Sequence, residues 1–278
     1  MIKLIDVDKL FDKYIEGYVY DNIGKVKPEE IENKIPELYL SFGDEKLDEL
    51  DGKTPNTYYK SFNGKQLLSC LKEHLEKDVP VSDFLCEAIT DNSQNEIALI
   101  EALGEDNSEE FTLYLMNMLG DLCSEKAQKR YIEFIVWDYS EPIRELATEL
   151  LAPMAENVKE QLLTQFEETT GAKRACLTEI LSNCKNDEKV FEILVSEFLV
   201  NQNQIPTYAN YLAKYGDERA LPVLMQAIEN EKITYADFEE LRFAIEALGG
   251  SYDKVRDFSK EKTYKKIKGE LSNQNKNQ

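Results

Sequence analysis

The stretch from Gly216 to Ile233 constrains the fold of this chain most, because it combines a helix start with a regular apolar stripe. Asp217 can accept hydrogen bonds from the free amides of a first helical turn, where the helix dipole also favours negative charge. Pro222 removes one amide donor, so we expect it to bend the first turns. The apolar positions recur at helical spacing: Leu221, Leu224, Met225 and Ile228. This spacing predicts an amphipathic helix with one buried face.

The same pattern occurs earlier in the chain, at a separation of 30 residues. Asp187 corresponds to Asp217, and the apolar positions behind it match in order: Val190, Phe191, Leu194, Val195 and Phe198. Still earlier, Glu156 precedes an apolar set with the same roles: Leu162, Leu163 and Phe166. A separation near thirty residues is typical of two-helix repeats, so we predict a series of helix pairs.

The segments between these helices have the length and the apolar spacing of partner helices. Their apolar positions are Leu177, Ile180 and Leu181 in one segment, and Leu241, Ala244, Ile245 and Leu248 in the other. After them, Ser251 is expected to cap a further helix that buries Val255 and Phe258. The string IEALG occurs twice, and we expect Gly104 and Gly249 to end their helices in the left-handed conformation.

The segment GDERALPVLMQAI, with the surrounding residues from Cys176 to Phe258, resembles the HEAT-like repeats first associated with phycobilin lyases. The stretch from Asp51 to Ile89 is similar to the leading segment of some bacterial HEAT-like proteins. The resemblance implies an all-α fold, a right-handed α-α superhelix with an irregular helical amino-terminal cap. It also implies that the second helices line a concave surface, where polar side chains would face a partner: Glu188, Glu192, Arg219, Gln226 and Glu229.

Three parts of the chain differ in character. Residues 1–52 have helical stripes of less regular spacing and are predicted to form a cap or small subdomain. Thr54 and Pro55 mark a helix start, because threonine caps helices and proline suits the first position. Residues 53–258 are therefore assigned to helical repeats. Residues 259–278 are predicted to form a basic, partly disordered tail, since the last 28 residues contain eight Lys or Arg against four Asp or Glu.

The chain carries a formal net charge of −21 over 278 residues. An acidic surface repels phosphate backbones, which argues against nucleic acid as a partner. It suits a protein partner with a basic or mixed segment, whose approach would be steered by charge and weakened by salt. The lysine-rich tail has three interpretations: a contact with nucleic acid or an acidic membrane, neutralisation of an acidic patch of its own chain, or a solvated end.

Location and redox state follow from apolar runs and cysteines. No apolar run approaches the roughly 20 residues that a transmembrane helix needs, and the first residues lack a signal-peptide core. The sequence therefore predicts a cytoplasmic protein. Its five cysteines are odd in number and scattered, which suits reduced core thiols. No set of cysteines and histidines has the spacing of a zinc site, so no metal or cofactor is predicted.

Catalytic patterns are sparse in this sequence. His74 is the single histidine, and its spacing from Leu67 and Leu71 predicts a packed or surface side chain rather than a general base. No GxSxG, Walker-type, GxGxxG or HExxH motif occurs. Tyr208, Tyr211 and Tyr215 share one helical face, which we interpret as packing between repeats rather than as a recognition surface.

One enzymatic alternative uses the same architecture. HEAT-like DNA alkylation-repair glycosylases line a basic concave surface with aromatic residues and an aspartate, and the corresponding candidates here are Trp137, Asp138, Tyr139 and Arg144. The acidic composition opposes a basic groove. Trp137 is expected to pack at the end of a helix, and it is also a candidate for the partner surface.

The leading functional hypothesis is a non-catalytic protein-interaction scaffold with an acidic surface. It rests on the repeats, the uneven charge and the sparse catalytic patterns. The alternative is a HEAT-like enzyme, such as an alkylation-repair glycosylase or a lyase-type protein. A third interpretation, a regulatory domain in a larger assembly, differs from the first mainly in the stability of its complex.

Overall fold

The computed structural model describes residues 2–23, 31–262 and 264–266. Fifteen α-helices lie wholly within these residues, joined by turns and short 3-10 helices, and the same residues contain no strand. An isolated bridge pairs Leu47 with Lys53. The prediction of an all-α fold is therefore confirmed.

Two compact units divide the chain. The amino-terminal unit contains Met1–Arg130 and Ser140–Leu146, and the carboxy-terminal unit contains Tyr131–Tyr139 and Ala147–Gln278. The boundaries expected after residues 52 and 258 stay predictions. Of the basic tail expected over 259–278, residues 263 and 267–278 lie outside the described part of the chain.

In the residues that the structure describes, seven helices begin and end within the amino-terminal unit. They are α1 (Val7–Asp21), α2 (Ile35–Gly43), α3 (Pro55–Tyr58), α4 (Gly64–Glu76), α5 (Asp83–Thr90), α6 (Asn95–Leu103) and α7 (Glu109–Asp121). Helix α4 packs against α5, α6 and α7. Thr54 is the N-cap of α3 and Pro55 its first residue, which confirms the helix start predicted there.

Helices α8 (Gln128–Val136) and α9 (Glu141–Leu151) contribute residues to both units. The remaining helices belong to the carboxy-terminal unit. They are α10 (Ala155–Phe166), α11 (Gly171–Leu181), α12 (Glu188–Val200), α13 (Ile205–Tyr215), α14 (Leu221–Ile228) and α15 (Tyr235–Ala247). Successive helices pack in pairs: α10 with α11, α12 with α13, and α14 with α15.

The segments around α12 and α14, which the sequence aligned, share a cap residue and a buried position. Asp187 and Asp217 are the N-caps of α12 and of the 3-10 turn before α14, and each carboxylate accepts a hydrogen bond from a first-turn amide. At the aligned positions, Leu194 is buried in α12 and Leu224 in α14. Both segments therefore begin at an aspartate cap and bury a leucine at the aligned position, although Asp217 caps the 3-10 turn and α14 itself starts after Ala220. The apolar positions expected in α10, α11 and α15 are likewise buried.

The sequence placed Pro222 inside a helix, but in the structure it lies at the helix start. A 3-10 turn, Glu218–Ala220, precedes α14, and Pro222 is the second residue of that helix. An amide in the first turn has no carbonyl partner in its own helix, so the missing N–H of proline costs no hydrogen bond there. The expected bend is replaced by a change from 3-10 to α geometry.

Two other expectations are wrong. Residues 251–258 are not helical, and Val255 is 97 % exposed, so Ser251 caps no further helix. Phe258 is half-buried against Phe238 instead, with ring centroids 5.3 Å apart. Gly249 has φ of 82° as expected, whereas Gly104 has φ of −78° and ends its helix in ordinary right-handed geometry.

His74 is a core residue of the amino-terminal unit. Its side chain is buried, and Nδ1 lies 2.8 Å from the carbonyl oxygen of Pro80. Because a carbonyl oxygen can only accept, Nδ1 must donate in this contact. This placement matches the packed histidine expected from the leucine spacing.

The five cysteines form no disulfide. Burial raises the pKa of the Cys70 and Cys184 thiols to about 11, which keeps both protonated near neutral pH. Across the described helices, none combines the length and apolar character needed to cross a membrane.

Candidate interaction surface

Helix α10, the start of α12 and the end of α13 are joined by contacts between residues 28 to 30 positions apart. Lys159 in α10 forms an ion pair with Asp187, with 3.0 Å between Nζ and Oδ2. Tyr215 hydrogen-bonds to the backbone of the same Asp187. Lys185, just before α12, donates from Nζ to the carbonyl oxygen of Tyr215 at 2.9 Å. These contacts fix α10, the start of α12 and the end of α13 relative to one another within the carboxy-terminal unit.

Two residues of the predicted partner surface meet directly. Arg219 donates to both carboxylate oxygens of Glu188, at 3.0 and 2.8 Å, although the two lie 31 residues apart. The guanidinium also pairs with Asp217 at 2.7 Å and lies 4.3 Å from the ring centre of Phe191. Because its charge is already shared between two carboxylates, Arg219 adds little free positive charge to this surface.

Glu192 and Gln226 lie apart from that ion pair. Both are exposed, Glu192 on α12 and Gln226 on α14. Gln226 lines an open cavity of about 220 Å³ together with Phe198, Leu199, Gln202, Val223, Ala227 and Asn230. Leu199 is 53 % exposed at this cavity. The cavity therefore combines an apolar lining with side-chain amide groups, and it lies on the same helices as the exposed carboxylates.

We use the name acidic surface for six exposed glutamates on or directly after α10, α12 and α14. They are Glu156, Glu160, Glu167, Glu188, Glu192 and Glu229. Glu160 and Glu192 hold equivalent positions, since Leu162 and Leu194 are the buried residues two places later. Lys189 and the paired Arg219 are the exposed basic residues in the described part of α12, α14 and the turn before α14.

Glu229 is not free for a partner, contrary to the simplest expectation. Lys254 forms an ion pair with it, and this contact lowers the pKa of the Glu229 carboxyl. Lys254 belongs to residues 251–262, which we call the strap. The strap follows α15 and returns to the end of α14.

Arg256 is the second basic residue with which the strap contacts α14. Its guanidinium donates to the carbonyl oxygens of Ile228 and Asn230, each at 2.8 Å. Carbonyls at the end of a helix lack partners within the helix and carry its negative partial charge, so a cation is favoured there. Arg256 thus caps the carboxyl end of α14 with a side chain 28 residues away.

Aromatic contacts complete the attachment of the strap. Phe258 contacts Tyr235 and Phe238 of α15, with centroid distances of 5.4 and 5.3 Å. Arg256 lies over the Phe238 ring at 5.4 Å. Glu261 accepts a hydrogen bond from the backbone N–H of Tyr235 at 2.8 Å. The strap therefore combines charged, capping and apolar contacts with both α14 and α15.

Sequence reasoning did not assign a role to Lys254 or Arg256. The signal that could have found them is the change from an acidic to a basic composition directly after the Gly249–Gly250 pair. The spacing of Val255 and Phe258 suggested a helix here, but two apolar positions are too few to distinguish a helix from an irregular segment. The contacts of an irregular segment depend on side chains far away in the sequence.

Trp137 is exposed by 52 %, so it is not the packed residue that the sequence suggested. Trp137 follows α8, and its backbone N–H still donates to the carbonyl oxygen of Glu133 at 3.0 Å. The helix ends at this point, and the ring loses the neighbours that a further turn would supply. Asp138 beside it pairs with Lys173 at 3.2 Å.

Other cavities lie elsewhere. Two open cavities of about 200 and 260 Å³ flank α4 and share Lys65 and Ser69. A third, of about 320 Å³, lies beside Gly216 and is lined mostly by polar atoms. Trp137 lines none of these cavities, nor the one beside Gln226. The glycosylase alternative requires a pocket that contains Trp137, and none of these four cavities is such a pocket.

Comparisons with known proteins add no family to this picture. A search against protein-family models finds no match to the chain, and a search of the curated proteins finds none either. The helix pairs of the carboxy-terminal unit and their equivalent caps are thus the structural basis for any functional inference.

Proposed function

We propose that this chain is a non-catalytic protein-interaction scaffold of the HEAT-like class, with helix pairs stacked in a right-handed superhelix. Its acidic surface binds a basic segment of a partner protein. The observation that carries this proposal is the strap, since a Lys and an Arg of the chain itself already dock on Glu229 and on the end of α14. The same surface chemistry would accept Lys and Arg from another chain.

Charge supports the proposal over the rest of the acidic surface. Glu160 and Glu192 are exposed at equivalent positions, and Lys189 is the nearby exposed base on α12. Carboxylates arranged in this way attract a basic segment from a distance, and the attraction weakens with ionic strength because mobile ions screen it. Affinity also needs apolar contact, which the Leu199 cavity provides.

Salt-dependent binding of a basic peptide tests the proposal. The probe is a fluorescein-labelled peptide KRKLKRK, titrated with the full chain and followed by fluorescence anisotropy at about 50 and 300 mM salt, where the screening lengths differ more than twofold. We expect binding at the lower salt concentration. We expect the double variant Glu160→Lys with Glu192→Lys to bind at least about fivefold more weakly, because like charges then face the peptide.

A matched control changes the same net charge on the other unit. Glu16→Lys with Glu76→Lys alters two exposed residues of α1 and α4. This variant should keep the affinity of the unmodified chain to within about twofold, since it leaves every residue of the acidic surface unchanged. Equal losses in both double variants, or no binding at the lower salt concentration, would refute a localised acidic binding surface.

A further inference from the structure

The strap is held by side chains rather than by backbone pairing. Its docking contacts are the Lys254 ion pair, the two hydrogen bonds of Arg256, the hydrogen bond accepted by Glu261, and the packing of Tyr252 and Phe258 on α15. Residues 251–258 belong to no helix, and Val255 between the two basic residues is almost fully exposed. A segment with few buried residues and no regular hydrogen bonding opens at a low free-energy cost.

The surface beneath the strap is mixed in chemistry. It contains the Glu229 carboxylate, the carbonyl oxygens of Ile228 and Asn230, and the rings of Tyr235 and Phe238. Lys254 pairs with the carboxylate, Arg256 donates to both carbonyl oxygens, and Phe258 contacts both rings, while Tyr252 adds a second contact with Phe238. The match requires a lysine, an arginine two residues later and an aromatic residue two residues after that.

We infer that the strap and the partner compete for this surface, and that the partner segment carries the same order of side chains, Lys-x-Arg-x-aromatic. The inference rests on the proposed function and adds both a partner chemistry and a regulation to it. With the strap docked, Glu229 and the end of α14 are occupied. With the strap displaced, the partner segment binds there and extends its contact along the acidic surface.

Competition within one chain is strong because the strap is tethered. A segment joined to its site by a short connection acts at an effective concentration on the order of millimolar. A free peptide with the same contacts therefore reaches the site only when the tethered strap is weakened. The strap therefore controls access to the site, since any event that weakens the contacts of Lys254 or Arg256 exposes it.

The test adds the strap as a separate peptide. The probe is the labelled peptide SYDKVRDFSKEK, which has the sequence of residues 251–262. It is titrated with the unmodified full chain and with the full-length double variant Lys254→Ala with Arg256→Ala. We expect the variant to bind the probe at least about tenfold more tightly, because its own strap no longer competes. A control peptide, SYDAVADFSKEK, should not bind the variant.

A second measurement follows the strap itself. Chymotrypsin cleaves after Phe258 only when the strap leaves α15, so the cleavage rate should rise in the double variant. The matched control is Lys260→Ala with Lys262→Ala, which removes two exposed strap charges and leaves the docking residues in place. If the alanine variant does not fold, Lys254→Gln with Arg256→Gln keeps longer stems and replaces it.

Three results would overturn the inference. They are equal binding of the probe to the unmodified chain and the double variant, equal binding of the probe and control peptides, and no binding although cleavage after Phe258 has increased. Each leaves the proposed function to be decided separately by KRKLKRK and the Glu160 and Glu192 variants. Failure of that peptide to bind would remove the proposed function itself.

Discussion

The hydroxyl group of Tyr215 bridges both backbone groups of Asp187. It donates to the carbonyl oxygen of Asp187 at 2.7 Å and accepts from the N–H of Asp187 at 2.8 Å. One side chain at the end of α13 thereby holds the cap of α12, 28 residues earlier. The bridge ties the end of α13 to the start of α12 within one helix pair.

Removing this hydroxyl should destabilise the carboxy-terminal unit. Tyr215→Phe keeps the buried ring but leaves the N–H and C=O of Asp187 without the bridge, which we expect to cost about 1–3 kcal/mol. Urea unfolding measures the loss. Tyr20→Phe, at a side chain that is largely exposed, should change stability by no more than about 0.5 kcal/mol. Equal effects of the two substitutions would contradict the bridge.

The ion pair of Asp187 with Lys159 should make the stability of the fold depend on pH. The Lys159 ammonium, followed by the Val190 amide, lowers the pKa of the Asp187 carboxyl. Because the folded pKa lies below the unfolded value of about 3.9, the stabilisation is present above that value and is lost as pH falls through the folded pKa. The thermal midpoints of the unmodified chain and Asp187→Asn should therefore differ near pH 7 and converge below about pH 4.

The convergence is the informative part of that experiment. Asparagine also caps helices, so Asp187→Asn retains the hydrogen bond to the first turn of α12. A difference between the two proteins that stays constant from neutral to acidic pH would show that the ionised carboxylate makes no net contribution.

Arg174 and Glu197 form a largely buried ion pair between α11 and α12. Glu197 is only 6 % exposed, Nε of Arg174 lies 2.7 Å from its Oε1, and the guanidinium lies 3.9 Å from the ring centre of Phe166. Arg174→Ala would leave a carboxylate buried without its cation, with an expected cost of about 3–5 kcal/mol. Urea unfolding should show this loss.

A double variant separates the ion pair from the packing at this site. Arg174→Met with Glu197→Leu removes both charges together and fills similar volume, so it should be more stable than Arg174→Ala alone. A double variant as unstable as the single one would indicate that the contact of Arg174 with Phe166 dominates.

Gly250 allows the chain to pass close to α14 and α15 before the strap begins. A Cβ atom at this position would lie 2.8 Å from Cδ2 of Leu221 and 2.9 Å from Cγ2 of Ile245. Gly250→Ala should therefore destabilise the unit by about 1–3 kcal/mol and speed chymotryptic cleavage after Phe258. Gly17→Ala in α1 meets no atom within 4 Å and should stabilise by up to about 1 kcal/mol. Unchanged strap cleavage in Gly250→Ala would contradict this role.

Local chemistry made most of the helices predictable. The caps Asp187, Asp217 and Thr54 act on amides within three residues, and the buried stripe of each helix follows from a period of 3.6 residues. The predictions that were wrong, at Ser251, Gly104, Pro222 and Trp137, lie at helix ends. There the competing backbone geometries differ by little energy, and distant contacts choose between them.

The sequence by itself determined the all-α class, the caps, the buried stripes and the acidic charge, because each depends on residue type and on neighbours within a few positions. Only the tertiary structure decided that Arg219 joins Glu188, that Tyr215 holds Asp187, and that the strap returns to α14. These contacts join residues about 28–31 positions apart. Their formation depends on how helices pack and where the chain turns, which no local pattern encodes.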